Sequence, residues 1–268
     1  MSLQHRDQVA AIEQRRAACV EIIRDAGDEA RRGFEAQRHR EMSLKGPQDF
    51  LTETDLAVEK LIRARLSESF PDDGFLGEET GGDVSGSFWV VDPIDGTANF
   101  ARGIAHYAIV MAFVTEGRIE LGAIYNVEMD ELYLATRGNG ATKDGQSLKC
   151  AETSRMDSSS VELGWSNRLP NRIYVDIVAA TLEAGANARR VSSGALGLAF
   201  VADGRSDGYA EIHMNAWDCL AGLLIVEEAG GVVSGTALQP DLKDGGSVLA
   251  VAPGVADAFS AATSIPLT

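Results

Sequence analysis

The segment WVVDPIDGTANF, residues 89–100, constrains the fold of this chain more than any other part of its sequence. Apolar residues 89–91 predict a strand that leaves the core, and Asp92 and Asp95 follow directly at its end. Pro93 fixes the backbone between the two acids, and Gly96 permits a turn and a close approach to a ligand. Both carboxylates are therefore expected to point into one small space.

Two like charges in such a space predict a bound cation. Without one, desolvation and mutual repulsion would force one of the two carboxyl groups to take up a proton. Hard oxygen ligands, including a backbone carbonyl such as that of Ile94, suit Mg²⁺, which keeps several waters and prefers to share an oxygen of a substrate phosphate. The segment therefore predicts a magnesium site for a phosphorylated ligand.

Further acidic residues follow other apolar segments. Glu78 and Glu79 come directly after a predicted strand at residues 74–77, and Asp218 stands at the start of an apolar helix predicted over residues 219–228. Taken alone, the Glu78-Glu79 pair also fits a solvated turn, and an acid in the first turn of a helix commonly complements the helix dipole. These residues alone leave both interpretations open.

The remaining pattern predicts an α/β (α+β) fold with a mostly antiparallel or mixed sheet. Apolar residues at helical spacing predict helices over residues 8–36 and 56–70, and Thr54 or Asp55 would cap the second. The other predicted helices cover residues 171–184, 194–202 and 217–229, and the predicted strands cover residues 74–77, 88–91, 107–114, 118–126, 131–137, 161–163, 208–211 and 248–252.

The length of 268 residues suits one compact unit with two lobes. We expect an N-terminal α+β lobe over residues 1–145 that carries most of the metal ligands. A C-terminal α/β lobe over residues 146–268 would carry Asp218 and the substrate-binding residues.

The net charge of −16 argues against nucleic acids and anionic lipids as partners, because both need a surplus of lysine and arginine to replace counterions. Cys19, Cys150 and Cys219 are far apart and form no CxxC pair, which favours a reducing cytoplasm over a disulfide framework or a thiolate zinc site. No apolar run has the length of a signal-peptide core or a membrane span. We therefore expect a cytoplasmic protein without membrane contact.

Three segments together resemble a known family. They are residues 77–79 (GEE), 92–100 (DPIDGTANF) and 217–222 (WDCLAG), and they stand in the order of the three signature motifs of the inositol monophosphatase family. The resemblance extends from Asp55 to the glycines at 230–231. It implies a layered αβαβα sandwich of the inositol monophosphatase and fructose-1,6-bisphosphatase type, commonly homodimeric, with a magnesium-dependent, lithium-sensitive phosphatase activity.

The resemblance also implies a ligand set. Glu78, Asp92 and the Ile94 carbonyl would hold one Mg²⁺, and Asp92, Asp95 and Asp218 would hold a second. A third ion would bind more weakly near Glu78, which gives two to three ions per site.

Further residues acquire roles through the same resemblance. Thr97, assisted by Asp55 behind it, would orient and deprotonate the attacking water, and with Glu78 these are the expected catalytic residues. Glu79 would stand beside the metal ligands without holding an ion, and Lys45 would lie on a mobile loop near the metals.

Substrate binding is expected at five positions, which are Gly96, Thr97, Ser193, Gly194 and Glu211. The amides of Gly96 and Thr97 would hold phosphate oxygens, Glu211 would bind ring hydroxyls, and the loop at 192–194 would close over the phosphate. The family usually has Gly-Ser/Thr-Ala where this chain has Ser-Ser-Gly at 192–194, which reshapes the pocket. Trp165 stands where a small residue is expected, so it would narrow access or stack on a ring, unless it is an ordinary core tryptophan.

Several activities remain compatible with these motifs. Inositol 1-phosphate is the leading substrate, and histidinol phosphate, fructose 1,6-bisphosphate and 3′(2′),5′-bisphosphate nucleotides are alternatives. A second phosphate would need basic residues, and Arg168, Arg172, Arg189 and Arg190 are the candidates. A different class of function is a regulatory or RNA-processing partner that retains the fold for association.

Overall fold

The computed structural model describes residues 3–37, 44–46, 49–50, 53–82, 84–234 and 244–267, without the side chains of residues 3–7, 37, 44–46 and 49–50. The helices are α1 Leu3–Gln37, α2 Glu53–Ser69, α3 Thr97–Ala101, α4 Asn171–Glu183, α5 Gly194–Ala202, α6 Ala216–Glu228 and α7 Ala256–Thr263. The strands are β1 Leu44–Gly46, β2 Asp49–Phe50, β3 Gly74–Gly77, β4 Gly81–Gly82, β5 Phe88–Asp95, β6 Ala108–Thr115, β7 Arg118–Asn126, β8 Glu131–Thr136, β9 Ala141–Lys143, β10 Gln146–Ser147, β11 Ser160–Leu163, β12 Asn187–Arg189, β13 Gly208–Met214, β14 Val232–Ser234 and β15 Gly246–Val251.

Two larger sheets carry the fold. The first has eight strands in the order β10-β9-β8-β7-β6-β5-β3-β4, and all neighbours are antiparallel except the parallel pair β3 and β5. The second has five strands in the order β12-β11-β13-β15-β14, where β11 is parallel to both β12 and β13. Both sheets are therefore mixed, as the sequence predicts.

Strand β5 is buried on both faces because helices cover both sides of its sheet. Trp89 and Val91 pack with apolar residues of α1 and α2, whereas Phe88 and Val90 pack on the opposite side with residues of α5 and α6. Alternate residues of a strand point to opposite faces, so a fully apolar run is needed where both faces are covered.

The elements stack in five layers. Helices α1 and α2 cover the eight-stranded sheet, α5 and α6 lie between the two sheets, and α4 and α7 cover the outer face of the five-stranded sheet. Ile177 of α4 and Phe259 of α7 belong to this outer core. The layered αβαβα sandwich is confirmed.

Two boundaries differ from the sequence prediction in ways that affect the site. Strand β5 continues to Asp95, so both acids belong to the strand rather than to a turn after it. Helix α2 begins at Glu53, which places Asp55 within the first turn instead of at the cap. The eight-stranded sheet ends at Ser147, and the division into lobes near residue 145 stays a prediction.

Candidate active site

The carboxylates of the two acids of β5 lie close together because the strand is irregular where they stand. Residues three apart in a regular strand point to opposite faces, but the pairing of β5 with β6 shifts register between Asp92 and Asp95. Both side chains are buried, with 2% and 6% of their surfaces exposed. The Asp92 Oδ1 atom accepts a hydrogen bond of 2.8 Å from the backbone N–H of Ile94, which fixes this carboxylate.

Helix α5 holds the carboxylate of Asp95. The N–H groups of Gly194 and Ala195 donate to Oδ1 and Oδ2 at 3.2 and 3.1 Å, and the Ser193 hydroxyl donates to Oδ2. Free N–H groups and the dipole make a helix N-terminus favourable for a negative charge. Ser193 also caps α5 by accepting from the N–H of Leu196.

Asp218 enters the cavity from the first turn of α6. Its Oδ2 atom accepts from the backbone N–H and the side-chain amide of Asn215, at 3.1 and 3.2 Å. The bond from the backbone N–H of Asn215 is the one by which an acid at the third helical position caps the start of a helix, so this acid does complement its helix. The same side chain nevertheless meets the acids of β5, since one oxygen each from Asp92, Asp95 and Asp218 lies within 4.8 Å of the others.

Glu78 joins this group at the end of β3. Its backbone N–H donates to Val91 O at 3.1 Å, which extends the pairing of β3 with β5. Its carboxyl group lies close enough to those of Asp92 and Asp218 for each to influence the pKa of the others. We call Glu78, Asp92, Asp95 and Asp218 the acidic cluster.

Sequence reasoning missed Glu59, which holds the turn that carries Glu78. The Glu59 carboxylate is buried and accepts from the N–H groups of Glu79 and Thr80, at 2.8 and 3.1 Å, and from the Thr80 hydroxyl. Gly77 permits this approach, because a Cβ there would lie 2.4 Å from the carboxyl carbon of Glu59. One signal was available: Glu59 follows Asp55 by one helical turn, and Asp55 is itself buried on the inner face of α2.

The electrostatics of the acidic cluster indicate a cation. Burial, followed by the charge of Asp218, raises the pKa of Asp95 to about 7 and that of Glu78 well above its ordinary value. Burial and the charge of Glu78 do the same for Asp92. A divalent cation would reverse these shifts, and an all-oxygen donor set suits Mg²⁺. The residues present therefore fit the predicted metal.

Gly96 and Thr97 form the turn after β5. Gly96 adopts a φ of 93°, in the left-handed region that favours glycine. The Thr97 hydroxyl donates to the carbonyl of Ile94 at 2.9 Å, and this carbonyl is the one predicted as a metal ligand. Both residues line the cavity.

The other predicted site residues are placed as follows. Glu211 of β13 lines the cavity, and its Oε2 atom accepts from the hydroxyl of Tyr209 at 2.6 Å. Burial raises the pKa of Glu211 to about 8. Glu79 lies half-buried beside Glu78, whereas the side chain of Lys45 lies outside the described residues.

The cavity has a volume of about 620 Å³. Its wall includes the acidic residues Glu78, Asp95 and Asp218 and also Trp165, Arg168 and Arg190. Of the four arginines that the sequence offers for a second phosphate, Arg172 pairs with Asp176 at 2.7 Å and Arg189 pairs with buried Glu162 at 3.1 Å.

The chain resembles known proteins over nearly its whole length. Residues 11–264 match the sequence profile of the inositol monophosphatase family. The chain is 39% identical over 236 residues to the inositol-1-monophosphatase of Mesorhizobium japonicum, which covers 86% of this chain and 89% of that protein. It is 37% identical over 220 residues to the Nus factor SuhB of Escherichia coli, which covers 80% and 82%.

The fold agrees with these similarities. The crystal structure of the extragenic suppressor protein suhB from Bartonella henselae superimposes with a TM-score of 0.86 at 32% identity, covering 92% of this chain and 97% of that one. Within the described ranges, no helix has both the length and the apolar character needed to cross a membrane. The match over residues 11–264 shows that this chain belongs to the inositol monophosphatase family, a family of phosphatases.

Proposed function

We propose that this chain hydrolyses a phosphate monoester of a small polyol in a magnesium-dependent reaction, with inositol 1-phosphate as the leading substrate. The observation that carries the proposal is the meeting of Asp92, Asp95 and Asp218, whose oxygens lie within 4.8 Å of one another although they come from two distant segments. The similarity to an inositol-1-monophosphatase supports the choice of substrate.

We assign two to three Mg²⁺ ions to this site. Glu78, Asp92 and the Ile94 carbonyl would hold one, Asp92, Asp95 and Asp218 a second, and a weaker third would bind near Glu78. When bound, the ions lower the pKa of water and neutralise charge on the phosphoryl oxygens. The family resemblance also implies inhibition by lithium.

We propose that Thr97 orients the attacking water. Its hydroxyl proton is directed to the Ile94 carbonyl at 2.9 Å, so the lone pairs of its oxygen are left to accept a hydrogen bond from a water in the cavity. To take a proton from that water, the Thr97 hydroxyl must turn its own proton from the Ile94 carbonyl to another acceptor, and buried Asp55 is the acceptor that we propose. Its charge already contributes to the raised pKa of Glu78, after burial and the charge of Asp218.

Substrate contacts follow from the donors and acceptors that line the cavity. The N–H groups of Gly96 and Thr97 would bind phosphate oxygens, and Glu211 would accept hydrogen bonds from polyol hydroxyls. Ser193 and Gly194 already donate to Asp95. We therefore propose that these two residues act on the substrate through the position of Asp95.

The test is phosphate release from inositol 1-phosphate, histidinol phosphate, fructose 1,6-bisphosphate and adenosine 3′,5′-bisphosphate, with and without Mg²⁺. We expect release that requires Mg²⁺, is fastest with inositol 1-phosphate and falls when lithium is added. No release from any of the four at saturating Mg²⁺ would overturn the proposal.

The similarity to a Nus factor favours a second candidate, in which the chain acts as a regulatory partner. The net charge of −16 disfavours direct contact with RNA. A salt-dependent RNA mobility shift with the isolated protein would support this candidate, and we expect none.

We further propose that the chain is a homodimer in the cytoplasm. The family resemblance implies the dimer, and the three widely separated cysteines without a CxxC pair favour a reducing compartment such as the cytoplasm. Sedimentation equilibrium would test the dimer, and cell fractionation would test the location.

A further inference from the structure

Asn99 lies where separate segments of the chain meet beside the candidate active site. It is buried, with 8% of its surface exposed, and it belongs to α3, the helix that follows the end of β5. Its side-chain Nδ2 atom donates to the carbonyls of His106 and Val191, both at 2.8 Å, and to the carbonyl of Ser192 at 3.3 Å. We call these three contacts the amide clamp.

The surroundings of Asn99 fix the orientation of its amide. The three atoms near the nitrogen are carbonyl oxygens, which accept hydrogen bonds and cannot donate them, so the amide must present its NH₂ group to them. The backbone carbonyl of Asn99 accepts in turn from the N–H groups of Arg102 and Ile104, at 3.0 and 2.9 Å. One residue therefore connects the end of β5 to the loop before β6 and to a loop 92 residues later in the chain.

The turn at Gly96 is packed against two of the same carbonyls. A Cβ at Gly96 would lie 3.1 Å from the carbonyl oxygen of His106 and 3.3 Å from that of Ser192. The Cβ of Ser193 would be 3.4 Å away. The glycine permits this close approach, and the amide clamp maintains it, so the loop around residue 192 has little freedom to move away from the turn.

The clamped loop leads directly to the donors that hold Asp95. The Asp95 Oδ2 atom accepts from the hydroxyl of Ser193 and the N–H of Ala195, whereas Oδ1 accepts a single bond, from the N–H of Gly194, among the residues that the structure describes. A carboxylate has about four lone-pair positions, so one stays available on Oδ1. The position of the loop therefore decides which oxygen Asp95 can offer to a cation.

Asn99 acts through other residues and not by touching a substrate. It lines the cavity, but its NH₂ group has two hydrogens and already meets three carbonyls, so it has no donor left for a ligand. The clamp also holds backbone that is unfavourable on its own, because Ser192 adopts a φ of 62°, which side-chain-bearing residues rarely adopt. Ser193 caps α5 through its own hydroxyl, which accepts from Leu196, so the helix start does not depend on the clamp alone.

We propose that Asn99 is a positioning residue for the metal site, because the amide clamp holds residues 191–192 so that Ser193 and Gly194 fix the carboxylate of Asp95. The inference rests on the proposed function, which assigns Asp95 to Mg²⁺, and deepens it by naming the residue that sets the geometry of this ligand. Without the clamp the carboxylate turns more freely and binds Mg²⁺ less well. Residues that orient metal ligands contribute about 10- to 100-fold to metal affinity.

The test measures Mg²⁺ affinity by calorimetric titration, which does not depend on turnover. Asn99→Ala removes the clamp, and Asn99→Leu removes it while keeping about the same side-chain size. Both variants should bind Mg²⁺ about tenfold more weakly or worse. The Mg²⁺ concentration for half-maximal activity should rise in parallel, with a smaller change in KM at saturating Mg²⁺.

Ser206→Ala is the matched control. Ser206 is also buried and also donates to two backbone carbonyls, those of Ser160 and Gly208, at 3.1 and 3.0 Å, but it does not line the cavity. This variant should lower the melting temperature and leave the Mg²⁺ affinity unchanged. If it weakens Mg²⁺ binding as strongly as Asn99→Leu does, the effect reports general stability and the inference is wrong.

A double-mutant cycle tests the route through Ser193. Ser193→Ala removes one donor to Asp95 and should itself weaken Mg²⁺ binding. Asn99→Leu should then add less in the Ser193→Ala background than in the wild type, because residues that act through one another are not additive.

Several outcomes would overturn the inference. They are full additivity in the cycle, unchanged Mg²⁺ affinity in the Asn99 variants, and no Mg²⁺ binding by the wild type. Failure of both Asn99 variants to fold would also overturn it, since it would show a role in the fold rather than in the site. If the wild type releases phosphate from no substrate, the proposed function fails, but the calorimetric cycle still decides the role of Asn99.

Discussion

The carboxylates of the acidic cluster are mostly buried and held by backbone N–H groups. The guanidinium groups of Arg168 and Arg190, which line the same cavity, are exposed, and Arg190 is held by side chains. Asp95 depends on the N-terminus of α5, and Asp218 on the cap of α6. Arg190 depends on Trp165 and Ser192, which stand in loops. The positions of the acids follow from how the layers pack, whereas the position of Arg190 depends on a few side chains.

Residues that carry the chemistry and residues that select the substrate can therefore lie in different parts of one cavity. Loops tolerate substitution more readily than the elements they connect. A change in the acidic cluster should therefore affect every substrate, whereas a change at Arg168 or Arg190 should affect only the choice among substrates.

The largest effect is expected from Asp95→Asn, which removes a charge from the acidic cluster. Turnover should fall on the order of 10³-fold with every substrate, as it does when an electrostatic catalytic group is lost, while circular dichroism shows an intact fold. The matched control is Asp207→Asn, because Asp207 is also buried and accepts from the N–H of Ser160 at 2.7 Å but lies outside the cavity. It should lower the melting temperature and keep magnesium-dependent turnover. More than a tenth of wild-type turnover in Asp95→Asn would contradict the assignment.

A large effect on stability is expected from Mg²⁺, and it should depend on pH. Burial and the charge of Asp218 raise the pKa of Asp95 to about 7 without a cation, against roughly 4 in an unfolded chain. A carboxyl with a raised folded pKa contributes stability fully below about pH 4, and that contribution is lost as the pH rises to about 7. The metal-free protein should therefore become less stable over this range.

Because Mg²⁺ binds the ionised carboxylates, it should raise the melting temperature more at about pH 8 than at about pH 5.5. Saturation at 100 times Kd stabilises a protein by about 2.7 kcal/mol, which corresponds to several degrees. Differential scanning fluorimetry at the two pH values would measure the rise. Equal rises at both, or an undiminished rise in Asp95→Asn, would count against the metal site.

An intermediate effect is expected from Glu59→Gln, which loosens the turn that carries Glu78. The Mg²⁺ concentration for half-maximal activity should rise about tenfold or more, as for other residues that orient metal ligands, with a smaller change in kcat at saturating Mg²⁺. Glu228→Gln is the control. Glu228 accepts from the N–H groups of Gly138 and Gly140, both at 2.7 Å, in a turn that is far from Glu78 in the sequence. If both variants shift the Mg²⁺ requirement equally, Glu59 has only a structural role.

Local patterns predicted the elements well. Strands Gly74–Gly77 and Arg118–Asn126 and helix Gly194–Ala202 have the predicted bounds, because an apolar run closed by turn residues is visible within one segment. The order of the layers, by contrast, came only from the family resemblance. The four acids of the cluster were also predicted from their motifs. The structure describes how they meet in space, and their roles as metal ligands stay predictions.

Long-range partners could not be predicted. Nothing near Asp95 in the sequence indicates that the N–H of Ala195, a hundred residues later, would hold its carboxylate. Four arginines looked equivalent as phosphate ligands, and only the fold shows that Arg172 and Arg189 are already paired. Ion pairing depends on which surfaces the layers bring together, and composition does not predict this.

The smallest effect is expected from Tyr209→Phe, a change in the cavity wall beside Glu211. Tyr209 donates to Glu211 at 2.6 Å, and one neutral hydrogen bond contributes about 0.5–1.5 kcal/mol, so kcat/KM for inositol 1-phosphate should fall roughly 2- to 10-fold, mainly through KM. Burial raises the pKa of Glu211 to about 8 although the hydrogen bond from Tyr209 lowers it. Without that bond, the pH at which Glu211 ionises should move upward in the pH profile of kcat/KM.

Tyr133→Phe is the control for this smallest effect, because Tyr133 donates to Asp203 at 2.9 Å outside the cavity. Its loss should change stability and leave the pH profile of kcat/KM in place. If Tyr209→Phe instead lowered activity with every substrate as strongly as Asp95→Asn, Glu211 would belong with the acidic cluster. The buried and the exposed side chains of the cavity would then not have separate roles in chemistry and in substrate choice.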